Sequence, residues 1–274
     1  MTIATAVRIM GILNVTPDSF SDGGLYNTRQ TAIEQARLLI EAGADIIDIG
    51  GESTRPYAEP VDIENELARV IPVITGIRTF SAIPISIDTT KAEVARRALA
   101  AGANIINDVS ALRNDPEMAD VVLDSGGEVI IMHMKGTPGT MQVDPQYDDV
   151  IEEIISFFKL RLATLDAVGV DPEKVIIDPG IGFGKKLEHN LTILKHLERF
   201  SVLDRPLLLG HSRKRFLGDI SGLDAADRDM VTAVVSGLCL DQNVSIFRVH
   251  DVASTKHALQ VSRAIHQTAD LKFS

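Results

Sequence analysis

The fold is decided by the segment AGADIIDIGGESTRP (42–56), which contains the end of a helix, a short strand and a polar loop. The β-branched run DIIDI (45–49) follows the helical pattern almost directly, and two glycines follow the run. A short apolar run bounded by glycine is typical of a strand that is buried on both faces. The related segment AGANIINDV (101–109) repeats the arrangement. The two copies indicate a strand–helix unit that is used more than once.

Strands and helices alternate along the whole chain. Eight runs are predicted to be strands, at 7–13, 45–49, 84–87, 104–108, 128–133, 174–178, 206–210 and 244–249. Eight segments are predicted to be helices, near 29–42, 62–79, 91–101, 115–125, 147–168, 189–199, 226–241 and 253–267. Eight such units in about 250 residues are typical of a (β/α)8 barrel. The sequence therefore predicts one α/β domain over 1–274, a (β/α)8 TIM barrel. An open doubly wound sheet is the alternative, but no GxGxxG follows the first strand.

The connecting loops differ in length at the two ends of the predicted barrel. Loops that lead from a helix into a strand are very short, whereas four loops that leave strands are long and rich in Gly, Pro, Ser and Thr. The long loops are 14–28, 50–61, 133–146 and 179–188. Active sites of (β/α)8 barrels are built from the loops at the C-terminal ends of the strands. The loop lengths therefore predict a site at that face.

Composition limits the partners and the compartment. The 274 residues carry 27 Lys and Arg against 38 Asp and Glu, a formal net charge of −11, which argues against non-specific nucleic-acid binding. The longest stretch without these four residue types, 230–240, is too short to span a membrane. The N-terminus does not resemble a signal peptide, and Cys239, the one cysteine, excludes an intrachain disulfide. We expect a cytoplasmic protein without nucleic-acid or membrane partners, in which Cys239 is a small buried side chain.

Polar side chains stand at or just past the end of every predicted strand. They are Asn14, Asp48, Asp88, Asn107, His133, Asp178, Ser212 to Lys214, Arg248 and His250. In a barrel these side chains converge on one mouth. The oxygens of Asp88, Asn107 and Asp178 are suited to accept hydrogen bonds from the NH and NH₂ groups of a flat heterocycle such as a pterin or guanine. For Asp88 the alternative is a cap on the helix that starts near Lys91.

Two of the long loops carry groups suited to an anion and a cation. The loop NVTPDSFSDGG (14–24) offers the amide oxygen of Asn14 and the carboxylate of Asp22, which suit Mg²⁺ bound with an anionic ligand. A surface loop with Asx turns is the alternative. The turn GGESTRP (50–56) places Arg55 beside backbone N–H groups, an arrangement that binds phosphate or carboxylate.

Basic residues follow the last two strands, where barrels of this kind commonly bind phosphate. The segment GHSRKRF (210–216) contains Lys214, and Arg248 and His250 project to the same side of an extended chain. The glycine-rich turn PGIGFGK (179–185) lacks the GxxxxGK[ST] spacing of phosphate-binding loops. The sequence therefore places the anion site beside strands seven and eight rather than on the glycine-rich turn.

Seven of these segments occur in the order found in the dihydropteroate synthase family of folate biosynthesis. They are NVTPDSFSDGG (14–24), GGESTRP (50–56), SIDT (86–89), NDV (107–109), DPGIGFGK (178–185), SRK (212–214) and RVHD (248–251). They extend over nearly the whole chain, which therefore resembles this pterin-binding family. The family's fold is a (β/α)8 barrel, in agreement with the count of strands and helices.

The resemblance implies the reaction and its partners. p-Aminobenzoate would displace diphosphate from 6-hydroxymethyl-7,8-dihydropterin diphosphate, giving 7,8-dihydropteroate, with Mg²⁺ as cofactor. Breaking the bond between the methylene carbon and oxygen would leave a carbocation stabilised by the pterin. The amine is neutral at pH 7, so no strong general base is needed. The resemblance also implies a homodimer formed through the outer barrel helices.

The resemblance also implies a role for each matching residue. The pterin ring would contact Asp88, Asn107, Asp178, Phe183, Lys214 and Arg248. The diphosphate would be held by Asn14, Thr54, Arg55, Arg248 and His250, with Mg²⁺ on Asn14 and Asp22. p-Aminobenzoate would be surrounded by Phe20, Thr54, Pro56, Ser212 and Lys214. Catalysis would depend on Asn14, Asp22, Arg55, Lys214, Arg248 and His250.

Two other functions remain as alternatives. A pterin-binding methyltransferase that acts on methyltetrahydrofolate and a corrinoid protein shares the barrel but needs no diphosphate site. A catalytically silent relative would bind pterin and lack a diphosphate or Mg²⁺ residue. Tyr57 and His211 depart from the family pattern beside the predicted p-aminobenzoate pocket, and we expect them to alter its shape and its affinity for sulfonamides.

Overall fold

The architecture is a closed barrel of eight parallel strands. The computed structural model describes residues 7–16, 24–53, 59–137, 139–141 and 143–267. The strands are β1 (Arg8–Asn14), β2 (Ile46–Gly50), β3 (Ile85–Asp88), β4 (Ile105–Asp108), β5 (Glu128–Met132), β6 (Val175–Asp178), β7 (Leu207–Leu209) and β8 (Val244–Val249). Each strand pairs with the next, and β8 pairs with β1. The predicted (β/α)8 barrel is confirmed, and the open doubly wound sheet is wrong.

Nine α-helices surround the strands in the described part of the chain. They are α1 (Gly24–Ala42), α2 (Ile63–Arg78), α3 (Ala92–Ala100), α4 (Met118–Ser125), α5 (Val150–Ala167), α6 (Leu187–Lys195), α7 (Arg215–Ser221), α8 (Asp229–Leu238) and α9 (Val252–Gln267). The sequence prediction missed α7. This helix is short, begins with a cluster of basic residues that its own dipole disfavours, and buries only Phe216 and Leu217.

The loop lengths follow the predicted asymmetry. The helix α1 ends at Ala42 and β2 begins at Ile46, and α3 and β4 are separated by a similarly short turn. At the opposite face, seventeen residues separate β5 from α5, which begins at Val150. The start of α5 is fixed by Asp149, whose carboxylate accepts hydrogen bonds from the backbone N–H groups of Ile151 and Glu152. The structure thus concentrates the longer loops above the C-terminal ends of the strands.

The core has two parts because side chains alternate across each strand. The outward-facing side chains pack with the helices in one large apolar cluster, which contains the fully buried Phe158, Phe200 and Phe247. Cys239 belongs to this cluster, and burial raises the pKa of its thiol to about 11, so the prediction of a small buried side chain is confirmed. None of the described helices is long and apolar enough to cross a membrane.

Candidate active site

The inward-facing side chains of the barrel form an apolar layer below a polar one. The apolar layer consists of Met10, Ile46, Ile105, Ile130, Ile176, Leu208 and Ile246. Two positions further along a strand, the side chain faces the axis again and lies nearer the C-terminal mouth. These positions include Asp48, Asn107, Asp178, Gly210 and Arg248. The alternation along each strand therefore places a polar floor at the mouth, above an apolar barrel interior.

The guanidinium of Arg248 lies between two carboxylates on this floor. Its Nε is 2.6 Å from Oδ2 of Asp48, and its Nη2 is 2.7 Å from Oδ2 of Asp88. The amide nitrogen of Asn107 is 3.4 Å and 3.3 Å from the two carboxylate oxygens of Asp48. Asp48 is fully buried and Asp88 nearly so. Because removing one partner of a buried ion pair leaves an uncompensated charge, these groups are stable only together.

Asp88 faces the barrel axis and does not cap a helix. The backbone N–H of Ala92, at the start of α3, donates to Asp115 at 2.8 Å, and that of Lys91 donates to the hydroxyl of Thr89. Both positions at the start of α3 therefore have other acceptors. Asp88 is paired in register with Asn107 on β4, at the same level of the barrel. The capping alternative is wrong, and the carboxylate remains available to the floor.

The glycine-rich turn after β6 brings an aromatic ring and a cation together on one wall of the mouth. The backbone N–H of Gly180 donates to Oδ1 of Asp178 at 2.7 Å. The ammonium of Lys214 donates to the carbonyl of Ile181 and lies 4.5 Å from the centre of the Phe183 ring. Gly182 has φ +81°, and a Cβ there would lie 3.1 Å from Cδ of Lys214. Glycine is therefore required by the backbone conformation and by the close approach of Lys214.

Ser212 and His250 are joined across the ends of β7 and β8. The Ser212 hydroxyl is 2.9 Å from Nδ1 of His250 and accepts a hydrogen bond from the His250 backbone N–H at 3.1 Å. Since the hydroxyl oxygen accepts from the backbone, its own hydrogen is suited to Nδ1 of the neutral ring. That arrangement places the ring N–H on Nε2. The two predicted ligand-contacting residues thus support one another.

Burial shifts the pKa values of the groups on the floor. Burial raises the pKa of Asp88 to about 7, against the attraction of Arg248. It also raises the pKa of Asp178, which Lys214 and the N–H of Gly180 partly lower. Burial lowers the pKa of Lys214 to about 8, against the attraction of Asp178. Burial disfavours the cation of Arg248 as well, but Asp48 and Asp88 outweigh this effect and its pKa is raised.

Comparisons with known proteins agree with this geometry. The chain matches the pterin binding enzyme family over residues 10–250. It is 46% identical over 258 residues to the dihydropteroate synthase of Synechocystis sp., covering 94% of this chain and 89% of that protein. The Xanthomonas albilineans dihydropteroate synthase solved with 4-aminobenzoic acid has a TM-score of 0.90 at 45% identity, covering 96% of this chain and 94% of that one. Its structure with 7,8-dihydropteroate has a TM-score of 0.87 at 42% identity, with the same coverages.

This chain belongs to the dihydropteroate synthase family. The predicted family is therefore confirmed, and so is the prediction that the protein is an enzyme of the transferase class. The match extends over nearly the whole barrel, from β1 to the residue after β8. The polar floor lies within the matched part of the chain.

The structure accounts for part of the predicted dihydropteroate synthase site. It brings to one mouth the predicted residues Asn14, Asp88, Asn107, Asp178, Phe183, Ser212, Lys214, Arg248 and His250. Five predicted residues, Phe20, Asp22, Thr54, Arg55 and Pro56, lie outside the described residues, as does Tyr57. His211 does not flank the pocket: its ring is fully buried, with Nε2 3.0 Å from the carbonyl of Thr232 and from the hydroxyl of Ser236 on α8.

Asp48 belongs to the polar floor, although the family resemblance implies no ligand contact for it. The sequence identifies it only as a polar residue at a strand end. Its position two residues after the inward-facing Ile46 is the signal that identifies it, because alternation along a strand directs both side chains to the axis. The missing information was its partner Arg248, which is two hundred residues away in the chain.

The residues near Asn14 fit a small hard cation. Gly50 ends β2 beside Asn14, and a Cβ on Gly50 would lie 3.8 Å from Oδ1 of Asn14 and 3.8 Å from Oδ2 of Asp88. The absence of a side chain at Gly50 therefore leaves space beside Oδ1 of Asn14, an oxygen ligand of the type that Mg²⁺ prefers, whereas Oδ2 of Asp88 already accepts a hydrogen bond from Arg248. Among the described residues, no group of three or more His, Cys, Asp or Glu could hold a metal. A cation here would depend on phosphate and water oxygens for most of its ligands.

A buried ion cluster anchors the stem of the loop that follows β2. The ammonium of Lys91 is 2.6 Å from Oε2 of Glu52 and 2.5 Å from Oε2 of Glu66. Glu52 also accepts from the backbone N–H of Val61 at 2.9 Å, so it joins the two ends of the loop. Glu66 is fully buried on α2, and its other oxygen has no partner in the described chain. Lys91 therefore holds together the two described ends of this loop, at Glu52 and Val61.

We predict that Lys91→Met lowers the free energy of unfolding by about 3–5 kcal/mol, because it leaves the Glu66 carboxylate buried without a cation. Denaturant unfolding monitored by circular dichroism measures the change. The matched control is Arg97→Met on the same helix, which removes an exposed pair with Glu93 and should change the free energy of unfolding far less than Lys91→Met does. Equal effects of the two substitutions would show that the cluster does not anchor the loop.

Proposed function

We propose that this protein condenses p-aminobenzoate with 6-hydroxymethyl-7,8-dihydropterin diphosphate, giving 7,8-dihydropteroate and diphosphate. The family membership supports this reaction, as do the relatives' structures with 4-aminobenzoic acid and with 7,8-dihydropteroate. The observation that carries the proposal is the polar floor. It presents acceptor oxygens beside an aromatic ring and three basic side chains in a single mouth. A methyltransferase would have no use for basic groups placed to bind a leaving diphosphate.

The pterin ring would lie on the floor, with its NH and NH₂ groups directed to carboxylate and amide oxygens. Asp178 and Asn107 face the axis from β6 and β4, and Asp88 lies beside Asn107. The face of the Phe183 ring is already occupied on one side by the ammonium of Lys214. Lys214 and Arg248 are therefore suited to contact the ring's acceptor atoms, while the carboxylates accept from its donor edge.

The leaving diphosphate would be bound on the β1 and β8 side of the mouth. Arg248 and the Nε2–H of His250 are donors there, and Asn14 offers an amide oxygen to Mg²⁺. Arg55, Thr54 and Asp22 complete the proposed set. When bound, Mg²⁺ would neutralise charge on the phosphate oxygens. Donors already in position stabilise the developing negative charge without reorganisation, which can contribute several kcal/mol.

The nucleophile would approach from the side of Ser212 and Lys214, together with Phe20, Thr54 and Pro56. Loss of diphosphate would leave a carbocation stabilised by the dihydropterin. The amine of p-aminobenzoate is neutral near pH 7 and attacks without a strong general base. Burial of the floor limits the access of water, which would otherwise trap the cation.

The first test follows diphosphate release from the dihydropterin diphosphate with Mg²⁺, in the presence and absence of p-aminobenzoate. We expect release that depends on p-aminobenzoate and matches pteroate formation mole for mole. Omitting Mg²⁺ and adding a chelator tests the proposed metal. Pterin binding without diphosphate release would instead favour a silent relative, and methyl transfer from methyltetrahydrofolate would favour the methyltransferase.

We predict that Asp88→Asn weakens pterin binding by about 10- to 100-fold, because hydrogen bonds to a charged group contribute roughly 1.5–3 kcal/mol. Titration with 6-hydroxymethylpterin, followed by fluorescence, measures the affinity. Cys239→Ser is the control, since Cys239 lies in the outer core and should leave binding unchanged. Normal binding and turnover by Asp88→Asn would contradict the assignment of Asp88 to the ring.

We predict that kcat/KM falls as the pH rises through about 8, because the ammonium of Lys214 loses its proton there. The pKa of Lys214 is lowered by burial, so the active charged form is present below that pH and is lost above it. A pH profile with both substrates checks this. The arginine of Lys214→Arg keeps its charge at high pH, so the alkaline decrease in kcat/KM should occur at a higher pH in this variant, whatever the variant's absolute activity. An identical alkaline decrease in both proteins would assign it to another group.

We also propose a cytoplasmic homodimer that forms through the outer helices. On α8, Met230, Val234 and Leu238 form an exposed apolar row, and Val261 and Ile265 form another on the adjacent α9. Exposed apolar surface of this extent is typical of an interaction site. The thiol of Cys239 suits the reducing conditions of a cytoplasm.

We expect Leu238→Glu to convert the dimer into a monomer, which sedimentation velocity detects directly. Leu238 has 74% of its surface exposed, so the substitution places charge in the interface without disturbing the core. Leu160→Glu on α5, at a residue 69% exposed, is the matched control and should leave the association unchanged. A monomeric wild-type protein, or a dimer that tolerates Leu238→Glu, would contradict the proposal.

A further inference from the structure

Lys185, at the end of the glycine-rich turn, is a buried lysine without a carboxylate ion pair among the described residues. Only 4% of its surface is exposed. Its Nζ is 3.0 Å from Nδ1 of His133, 3.0 Å from the carbonyl of Phe183 and 3.3 Å from the carbonyl of His133. Three acceptors match the three hydrogens of an ammonium group. The surroundings of Lys185 therefore satisfy a charged lysine completely.

His133 supplies one of these acceptors because its ring is neutral. Burial and the nearby Lys185 lower the pKa of His133 to about 2. The ring lies edge-on to Phe157 with 5.0 Å between centroids and 6.2 Å from Tyr147, whose hydroxyl donates to the carbonyl of Gly184. With its ring N–H on Nε2, Nδ1 can accept from Lys185. His133 is therefore a buried, hydrogen-bonded histidine.

Lys185 lies where the glycine-rich turn and the residues that follow β5 come into close backbone contact beside the polar floor. A Cβ on Gly180 would lie 1.9 Å from the carbonyl oxygen of His133, and one on Gly184 would lie 2.4 Å from that of Lys135. The same His133 carbonyl accepts from Lys185, and the His133 N–H donates to the carbonyl of Asp178 at 2.9 Å. The ammonium thus joins the end of β5 to the turn that follows Asp178. This turn contains Phe183 and Ile181, whose carbonyl accepts from Lys214.

An ammonium at Lys185 would also attract the Asp178 carboxylate. Burial raises the pKa of Asp178, and Lys214, the N–H of Gly180, Arg248 and Lys185 lower it in that order. Burial lowers the pKa of Lys185 well below its usual value, whereas Asp178 and the three hydrogen-bond acceptors around Nζ favour its charged form. The charged or titratable groups around this pair are His133, Lys135, Lys214 and Arg248. Lys214 and Arg248 belong to the mouth, and in the proposed complex they would contact the ligand. Lys185 lies behind the floor and would keep its contacts throughout.

We propose that Lys185 is a positioning residue of the pterin site: its buried ammonium holds the glycine-rich turn against the end of β5 and keeps the Asp178 carboxylate ionised, without contacting the ligand. The inference rests on the proposed function, because it takes Asp178 as an acceptor for the pterin ring. An ionised carboxylate accepts hydrogen bonds from NH and NH₂ groups with both oxygens, whereas a protonated one offers a competing donor.

The test measures the affinity for 6-hydroxymethylpterin by fluorescence titration between pH 5 and pH 9. Lys185→Gln removes the charge but retains an NH₂ whose two hydrogens can be donated to the two carbonyls. We expect the acidic loss of affinity to move to a higher pH, because a nearby positive charge lowers the pKa of a carboxyl group and its removal raises that pKa. Lys185→Met, which also removes the hydrogen bonds, should show at least the same shift.

The neighbouring lysine provides a matched control. Lys186 is partly exposed and pairs with Asp144 at 2.7 Å, so Lys186→Met changes the net charge equally without altering the buried cluster. It should leave the pH profile unchanged. A Lys185→Gln protein with wild-type affinity and pH profile would overturn the inference, as would an equal shift in Lys186→Met. A wild-type protein that binds no pterin would instead overturn the proposed function.

A measurement on the wild-type protein needs no variant. A buried ammonium with three hydrogen bonds exchanges its protons slowly and should give a resolved ¹H–¹⁵N signal of an NH₃⁺ group at neutral pH, with a contact to the ring of His133. A neutral amine at Lys185 would give no such signal and would overturn the role of its charge even if both variants failed to fold.

Discussion

The arrangement of the mouth depends on the guanidinium of Arg248, which is held by the carboxylates of Asp48 and Asp88. Burying a cation on the floor of the mouth is unfavourable unless carboxylates accept its hydrogen bonds. The contacts join β2, β3 and β8 at one level, and Asn107 extends them to β4. Much of the polar floor is therefore one coupled set of charges. A ligand that binds there must replace contacts of similar strength, which favours a flat molecule with donors and acceptors along its edge.

Closure of the barrel makes this set possible. Eight strands bring their inward-facing side chains to a common axis, and the apolar layer from Met10 to Ile246 fills the space below. The side chains at the next inward-facing positions must also face the axis, because side chains alternate between the two faces of each strand. Gly210 contributes space instead of a side chain, since a Cβ there would lie 3.4 Å from Oδ2 of Asp178. The polar floor is thus a layer of the barrel itself, and the strands fix the positions of its side chains, whereas Phe183, Ser212, Lys214 and His250 are added by the loops above it.

The fold could be predicted because apolar runs and tight helix–strand turns report local structure directly. The polar strand ends were predicted for the same reason, and Asp88, Asn107, Asp178 and Arg248 lie at the mouth as expected. Contacts between side chains on different strands were harder to predict, because Asp48 and Arg248 come together only when the barrel closes. Sequence position alone placed His211 beside the pocket, whereas its ring packs against α8. The helix α7 escaped prediction because it has only seven residues and buries only two of them.

Asp88 and Asp178, the two carboxylates assigned to the ring, are kept available in different ways. Asp88 is paired directly with Arg248, so that one of its oxygens is engaged before any ligand arrives. Asp178 accepts from the backbone N–H of Gly180, and no cation among the described residues lies within ion-pair distance of its carboxylate. Its charge is instead favoured at longer range by Lys214 and Arg248 in the mouth and, to a smaller extent, by Lys185. A carboxylate balanced at a distance keeps its lone pairs for a ligand, because no donor has to be displaced first. In the proposed complex, this difference would make Asp178, rather than Asp88, the stronger acceptor for the ring.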